Sequence, residues 1–222
     1  MLNEYKLYIN TFYIKKKYKI IRKYFTDSDI KILDIGAGNH SAKKMKIVFP
    51  ECKYYGVDIS PNYNNDDEDF QLMEKFFELD LTKLDYEAIE ENYYDLIVMS
   101  HIIEHLYNGD LVLEKLINKL KSNGIIYLEF PGFRSTKFPS MAGTLNFFDD
   151  GTHIRIYSLK EIYNILLRNN VTPLKGGIRR NYSRIMLLPI ILPYRLIKNR
   201  KLLATDFWDL FGFAEYVLGR KK

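Results

Sequence analysis

The 222-residue sequence predicts an α/β fold, with seven strands in a mostly parallel sheet and helices on both faces. Three observations predict it. Short apolar runs alternate with segments whose apolar residues recur every three or four positions. The first run, Ile32–Ile35, breaks at Gly36-Ala37-Gly38 and gives way to a helical pattern over 42–48, the order strand, tight turn, helix. The second run, Lys53–Asp58, ends in a carboxylate about 20 residues past that turn.

Residues 1–25 read as a basic amphipathic helix, with Tyr5, Leu7, Phe12, Ile20, Ile21 and Phe25 among lysines. At the first turn, Gly36 and Gly38 have no Cβ, so a ligand can lie against bare backbone. Free N–H groups at the start of the next helix can receive an acidic group. Asp66-Asp67-Glu68-Asp69 reads as a solvated loop, because like charges in a run repel. Phe76–Leu81 is the third strand. The fourth, Asp95–Ser100, is nearly continuous in apolar residues, which suits a parallel strand covered on both faces. Leu111, Leu113, Leu116, Ile117 and Leu120 mark a helix stopped by Ser122-Asn123-Gly124, and Ile125–Phe130 is the fifth strand. Residues 131–157 form a long aromatic segment of the length that functional loops have. Ser158-Leu159-Lys160-Glu161 is a capping box opening a helix through Leu167. Val171–Ile178 is a sixth strand. Residues 185–197 are apolar but carry Pro189 and Pro193, and predict a kinked helix, a lid or a subunit contact. Residues 213–221 are the last strand.

Hydrophobic residues at 47% exclude a disordered chain. The net charge of +5 permits an anionic partner without demanding one. Lys and Arg cluster near the two ends, which suits a solvated surface first and a membrane face or anionic substrate second. Cys52 is the only cysteine, so no intrachain disulfide can form, and a reducing, cytoplasmic setting is expected. No signal-peptide pattern opens the sequence, and no apolar stretch is long enough to span a bilayer.

Leu33-Asp34-Ile35-Gly36-Ala37-Gly38, then Gly56-Val57-Asp58-Ile59-Ser60, then Tyr94–Leu106 with its Ser100-His101-Ile102-Ile103-Glu104-His105 core, resemble the ordered motifs of class I S-adenosylmethionine-dependent methyltransferases. A dehydrogenase would more often carry a third glycine where Ser41 stands. The resemblance implies a Rossmann-like sheet with an antiparallel last strand and S-adenosylmethionine as cofactor. It places Asp34, Gly36, Ala37, Gly38, Asp58, Ile59, Asp80, Leu81 and Ser100 at the cofactor, with Asp58 on the ribose hydroxyls and Asp80 on the adenine amino group. It divides a single domain, residues 1–222, into a helical cap over 1–29, a cofactor-binding core over 30–180 with an acceptor-site loop at 131–157, and an apolar helical segment with the final strand over 181–222.

His101, Glu104 and His105 stand at i, i+3 and i+4, so a helical turn after Ser100 would put all three on one face. His153 comes from the segment after the neighbouring strand. This pattern resembles the small-RNA 2′-O-methyltransferases, whose Glu-x-x-Glu-His motif and later histidine hold a divalent ion. Here His101 replaces the first Glu, and His153–Ser158 matches the later segment. The resemblance implies a metal on His101, Glu104, His105 and His153. Three imidazoles and one carboxylate favour Zn, Mn or Fe over Mg. Without a metal, His105 and His153 are the candidate bases, and His101 and Glu104 complete the catalytic set. Such histidines also occur in relatives that bind no metal, as structural or pocket-lining residues. Arg155 and Tyr157 are placed to orient the acceptor.

The expected function is O-methylation of a small hydroxylated acceptor, a sugar or nucleotide-linked precursor of a surface polysaccharide. The histidines and the absence of an Asn/Asp-Pro-Pro-Tyr motif point to oxygen. One alternative is an RNA 2′-O-methyltransferase with a divalent metal, although no RNA-binding module or continuous basic stripe supports a nucleic-acid partner. The other is a non-catalytic cofactor-fold protein making peripheral membrane or partner contact through residues 1–25 and 185–197.

Overall fold

The computed structural model describes residues 16–222, and the part of the expected N-terminal cap in residues 1–15 lies outside them. The chain runs α1 (Lys16–Arg22), β1 (Lys31–Ile35), α2 (Ser41–Val48), β2 (Lys53–Asp58), α3 (Asp67–Gln71), β3 (Lys75–Glu78), β4 (Tyr94–Ser100), α4 (Gly109–Lys119) and β5 (Leu120–Pro131). It continues through α5 (Leu159–Arg168), β6 (Val171–Ile178), α6 (Tyr182–Asn199), α7 (Ala204–Phe211) and β7 (Ala214–Lys221). Short 3-10 turns lie at Leu81–Lys83, Ile103–His105, Phe133–Lys137 and Phe147–Asp149.

The strands form one sheet in the order β3-β2-β1-β4-β5-β7-β6. β1 to β5 are parallel, and β7 lies antiparallel between β5 and β6. The expected Rossmann-like sheet with an antiparallel last strand is therefore present. Strand order reverses between β1 and β4, and the crevice at their carboxyl ends is where such sheets bind ligands.

Alternation along the central strands explains the two covered faces. Ile32, Leu96 and Val98 pack with Tyr18 and Ile21 of α1 and Ala42 and Met45 of α2. Leu33, Ile97 and Met99 pack with Val112 and Leu116 of α4 and Ile162 and Ile165 of α5. Leu96, Ile97, Val98 and Met99 are at most 1% exposed, and each such buried side chain contributes roughly 1.5–3 kcal/mol.

Several elements differ from the sequence reading. The third strand ends at Glu78, and Asp80 then caps a 3-10 turn by accepting from the Thr82 amide. Ser122-Asn123-Gly124 does not stop α4. The helix ends at Lys119 and passes directly into β5, whose register against β4 shifts there. The acidic run opens a helix rather than forming a loop, and of its four acids Asp66, Asp67 and Glu68 are exposed as expected. Asp66 and Asp69 form a capping box for α3, and Asp69 is fully buried beside His40. The predicted capping box at Ser158 and Glu161 is present. Residues 185–197 sit inside α6, which runs through both prolines, and α7 follows as an additional helix. Among the described residues, no helix is long and apolar enough to cross a membrane.

Candidate active site

The glycine turn leaves β1 at the crevice. Gly36 adopts φ 79°, and a Cβ there would lie 2.2 Å from Ile102 Cδ1, so glycine is required twice over. The turn's amides are not bare, contrary to expectation. Gly36 and Ala37 donate to Val57 O, and Gly38 donates to Gly36 O. Asn39 donates to Tyr63 O, and His40 donates to the Asn65 carboxamide. The segment after β2 folds back over the turn, and a Cβ on Gly38 would meet Tyr63 Cδ1 at 2.5 Å. The polyamide cradle expected from the sequence is thus consumed inside the chain.

Asp34 lies beneath this turn and is buried. Its Oδ2 accepts from Tyr54 Oη at 2.6 Å, and Tyr54 Oη in turn meets Ser41 Oγ at 2.7 Å. Desolvation pushes the Asp34 carboxyl up, and Lys17, Tyr54 and Ser41 oppose the shift. Asp34 therefore braces the turn against β2. Asp58, at the end of β2, is half-buried, and among the described residues its carboxylate meets only the Ser60 amide, at 3.4 Å. Beside it Ile59 is 67% exposed, a bare apolar surface next to an open carboxylate. Asp80 holds Thr82 Oγ1 at 2.6 Å through Oδ1, and those hydrogen bonds hold its carboxyl below the ordinary value. Leu81 is buried in the core, and Ser100 is half-buried at the end of β4.

The histidines divide into two groups. His101 has φ 59°, and its amide donates to Glu129 O, which prolongs the β4–β5 ladder by one residue. Helical geometry begins only at Ile103, so His101 lies outside the turn that carries Glu104 and His105, although its ring still reaches Glu104. Its ring lies between two carboxylates, Nδ1 3.3 Å from Glu104 Oε1 and Nε2 3.2 Å from Glu129 Oε1, and packs against Trp208. Burial opposes protonation, but the two carboxylates outweigh it and raise the imidazole pKa. With both ring nitrogens engaged by carboxylates, the ring offers no free lone pair to a metal or an acceptor. The expected metal and catalytic roles of His101 are corrected accordingly.

His105 and His153 meet with ring centroids 4.8 Å apart. Thr152 Oγ1 donates to Asp150 Oδ1 and so accepts from His105 Nδ1 at 2.9 Å. His153 Nδ1 donates to Phe147 O at 2.6 Å. Since Nδ1 donates in both rings, the neutral form of each presents its lone pair at Nε2. Glu104 is 1% exposed, and its Oε2 has no hydrogen-bond partner. Ligand atoms of Glu104, His105 and His153 all lie within 4.8 Å of one another. Two imidazoles tautomerically fixed by carbonyl and hydroxyl acceptors, with an orphaned carboxylate oxygen, fit a divalent metal of the Zn, Mn or Fe kind.

The Arg155 amide donates to Glu104 O at 3.2 Å, but the side chains of Arg155 and Tyr157 turn away from this cluster. Arg155 pairs with Asp110 at 3.1 Å and with Glu161 at 3.6 Å, and lies over the Tyr157 ring, while Tyr157 is 1% exposed in the core. Their acceptor-orienting role is replaced by a structural one. Three residues given no role by the sequence reading form an ion-pair chain that starts at His101. Glu129 on β5 accepts from Tyr127 Oη at 2.6 Å and pairs with Arg179 at 3.0 Å, and Arg179 pairs with Asp209 of α7 at 3.0 Å. A glutamate inside the apolar run of β5 was the one signal available for them. A second acidic group, His40, Asp66 and Asp69, already holds the Lys43 ammonium 2.8 Å from Asp66, so a cation is in place there.

A methyltransferase-domain family model matches residues 9–175, and the chain belongs to this family of S-adenosylmethionine-dependent methyltransferases. Solved structures carry the same fold. An S-adenosylmethionine-dependent methyltransferase from Mesorhizobium loti aligns with TM-score 0.64 and 12% identity over 93% of this chain and 98% of that one. One from Archaeoglobus fulgidus gives 0.56 and 18% over 98% and 99%. The phosphoethanolamine N-methyltransferase 2 of Haemonchus contortus, in complex with S-adenosyl-L-methionine, gives 0.62 and 16% over 91% and 51%. No curated protein matches.

Proposed function

We propose that this methyltransferase transfers its methyl group to an oxygen of a small hydroxylated acceptor, a sugar or nucleotide-linked glycan precursor. The observation that carries the reading is the pair of Nε2 lone pairs on His105 and His153 beside the unpartnered Glu104 Oε2. The cofactor arrives activated, so the protein must align the acceptor and raise its nucleophilicity. A hydroxyl is a poor nucleophile at neutral pH, and a fixed imidazole lone pair removes its proton as the new bond forms. In that step the acceptor O–C bond forms and the sulfonium S–C bond breaks. The proton passes to Nε2, and the sulfonium leaves as a neutral thioether. Asp58 binds the ribose hydroxyls and Ile59 lies against the adenine, since these are the open carboxylate and the exposed apolar surface at the strand ends.

A metal-assisted version rests on the same three residues. Glu104, His105 and His153 would hold a divalent ion, which supplies Lewis-acid activation of a bound hydroxyl. The deciding experiment offers radiolabelled S-adenosylmethionine to the protein with a panel of sugars, sugar nucleotides and RNA, with and without chelator. Label in an alkali-stable ether on a sugar supports the reading. Label on nitrogen or on RNA alone overturns it, and chelator-insensitive transfer removes the metal version.

A further inference from the structure

Helix α6 is amphipathic with its two faces exchanged. Arg184 and Arg195 turn toward the body of the protein. Arg184 lies 3.6 Å from both Asp206 and Asp209, and Arg195 pairs with Asp206. Met186, Ile190, Tyr194 and Ile197, spaced four, four and three residues apart on the opposite face, point to solvent. Met186 is 81% exposed, Ile190 69% and Ile197 82%. A surface helix of a water-soluble fold normally carries the reverse arrangement, because each exposed side chain of this size forgoes its burial. The outward apolar face therefore lacks a cover among the described residues.

Charge identifies what covers it. The sequence carries no acid between Glu161 and Asp206, and the two acids that follow are consumed by Arg184, Arg195 and Arg179. Lys198, Arg200 and Lys201, at and just past the end of α6, are exposed and make no ion pair among the described residues. Lys198 lies 5.7 Å over the Tyr194 ring, so the cationic end joins the aromatic edge of the apolar face. A second copy of the chain docking α6 on α6 would cover the ridge but offer Lys198, Arg200 and Lys201 no acid, since residues 162–205 carry none. An anionic lipid surface matches both features: acyl chains receive the apolar ridge and phosphate headgroups receive the cations.

We infer that α6 lies in the headgroup region of an anionic membrane, Met186, Ile190, Tyr194 and Ile197 downward and Lys198, Arg200 and Lys201 at the phosphates. This stands independently of which acceptor the site methylates. The test is co-sedimentation of the full chain with vesicles of phosphatidylcholine alone and of phosphatidylcholine with phosphatidylglycerol, beside light scattering in solution. Expected is binding about tenfold or more stronger to the anionic vesicles and weakening with salt. Joint replacement M186S, I190S and I197S should reduce it about tenfold or more, as should joint K198A, R200A and K201A, with the circular dichroism unchanged. I190K alone is the milder probe, should the triple serine variant misfold. Indifference to both vesicles overturns the inference, as does equal, salt-insensitive binding to both. A dimer in solution that I190K dissociates, with vesicles ignored, assigns the face to a second copy instead.

Discussion

Glu129 Oε1 lies 3.2 Å from His101 Nε2, reaching from β5 to the residue that follows β4, and the same oxygen lies 3.0 Å from Arg179. One buried carboxylate thus joins the end of the parallel sheet to the β6–α6 junction, and through Arg179 to Asp209 of α7.

The pH dependence of this cluster follows from two opposite shifts. His101 has its pKa raised from 6.5 on folding, so its contribution is complete below that value and is lost as pH climbs through the folded one. For Glu129, burial opposes ionisation, but Arg179 and His101 outweigh it and hold the carboxyl well below 4.5. Its contribution is complete above 4.5 and is lost as pH falls through the folded value. The cluster is therefore most stabilising between pH 4.5 and 6.5. Glu129→Gln removes one of two carboxylate partners from each of the half-buried His101 and Arg179 and should cost about 3 kcal/mol within that window, with a flattened profile above it. Urea unfolding at several pH values measures this, and a variant that retains the wild-type pH profile would show that Glu129 does not control His101.

His105→Gln and His153→Gln remove the two imidazoles grouped with Glu104. Each should lower kcat by about 10²- to 10⁴-fold, the usual share of a positioned base, while cofactor affinity measured by calorimetry moves by less than about twofold. If a divalent ion is held, Mn²⁺ affinity should fall at least about tenfold in the same variants and in Glu104→Gln. A variant that instead loses cofactor affinity with kcat intact would place these histidines under the methionine rather than at the acceptor.

What the sequence disclosed follows from the range of the interactions. Strands β1, β2 and β4 are read from contiguous apolar residues, and the Ser158 cap from a spacing of three, because both signals are local. The Glu129–Arg179–Asp209 chain joins residues 50 and 30 positions apart, and no window of sequence contains it. The i, i+3, i+4 spacing misplaces His101 because it assumes helix from the start, whereas the position of His101 depends on its own left-handed backbone. The glycine turn was located correctly, but its amides were not free, since their acceptors come from Val57 and Tyr63 on another strand and loop.

Asp58→Ala tests the cofactor contact. A carboxylate accepting from ribose hydroxyls contributes about 1.5–3 kcal/mol, so the dissociation constant for S-adenosylhomocysteine should rise about 10- to 100-fold. Among the described residues the half-buried Asp58 carboxylate has only a 3.4 Å contact, so thermal stability of the free protein should change by less than about 1 kcal/mol. Equal losses of stability and affinity would instead make Asp58 a structural brace like Asp34.

Gly36 and Ile102 should be coupled. A Cβ at position 36 would stand 2.2 Å from Ile102 Cδ1 and 2.6 Å from Cγ1, on a residue whose φ is already 79°. Gly36→Ala therefore combines about 1–2 kcal/mol of left-handed backbone cost with a steric clash against a side chain packed on the core. Ile102→Ala deletes both clashing carbons and by itself costs about 2 kcal/mol of packing. In the double variant the clash is gone and the backbone cost remains, so its loss of stability should fall short of the sum of the single losses by about 1 kcal/mol or more. Chemical denaturation of the four proteins closes the cycle. Strict additivity would mean that the backbone at Gly36, rather than the Ile102 side chain leaning on it, sets the requirement for glycine at the mouth of the cofactor crevice.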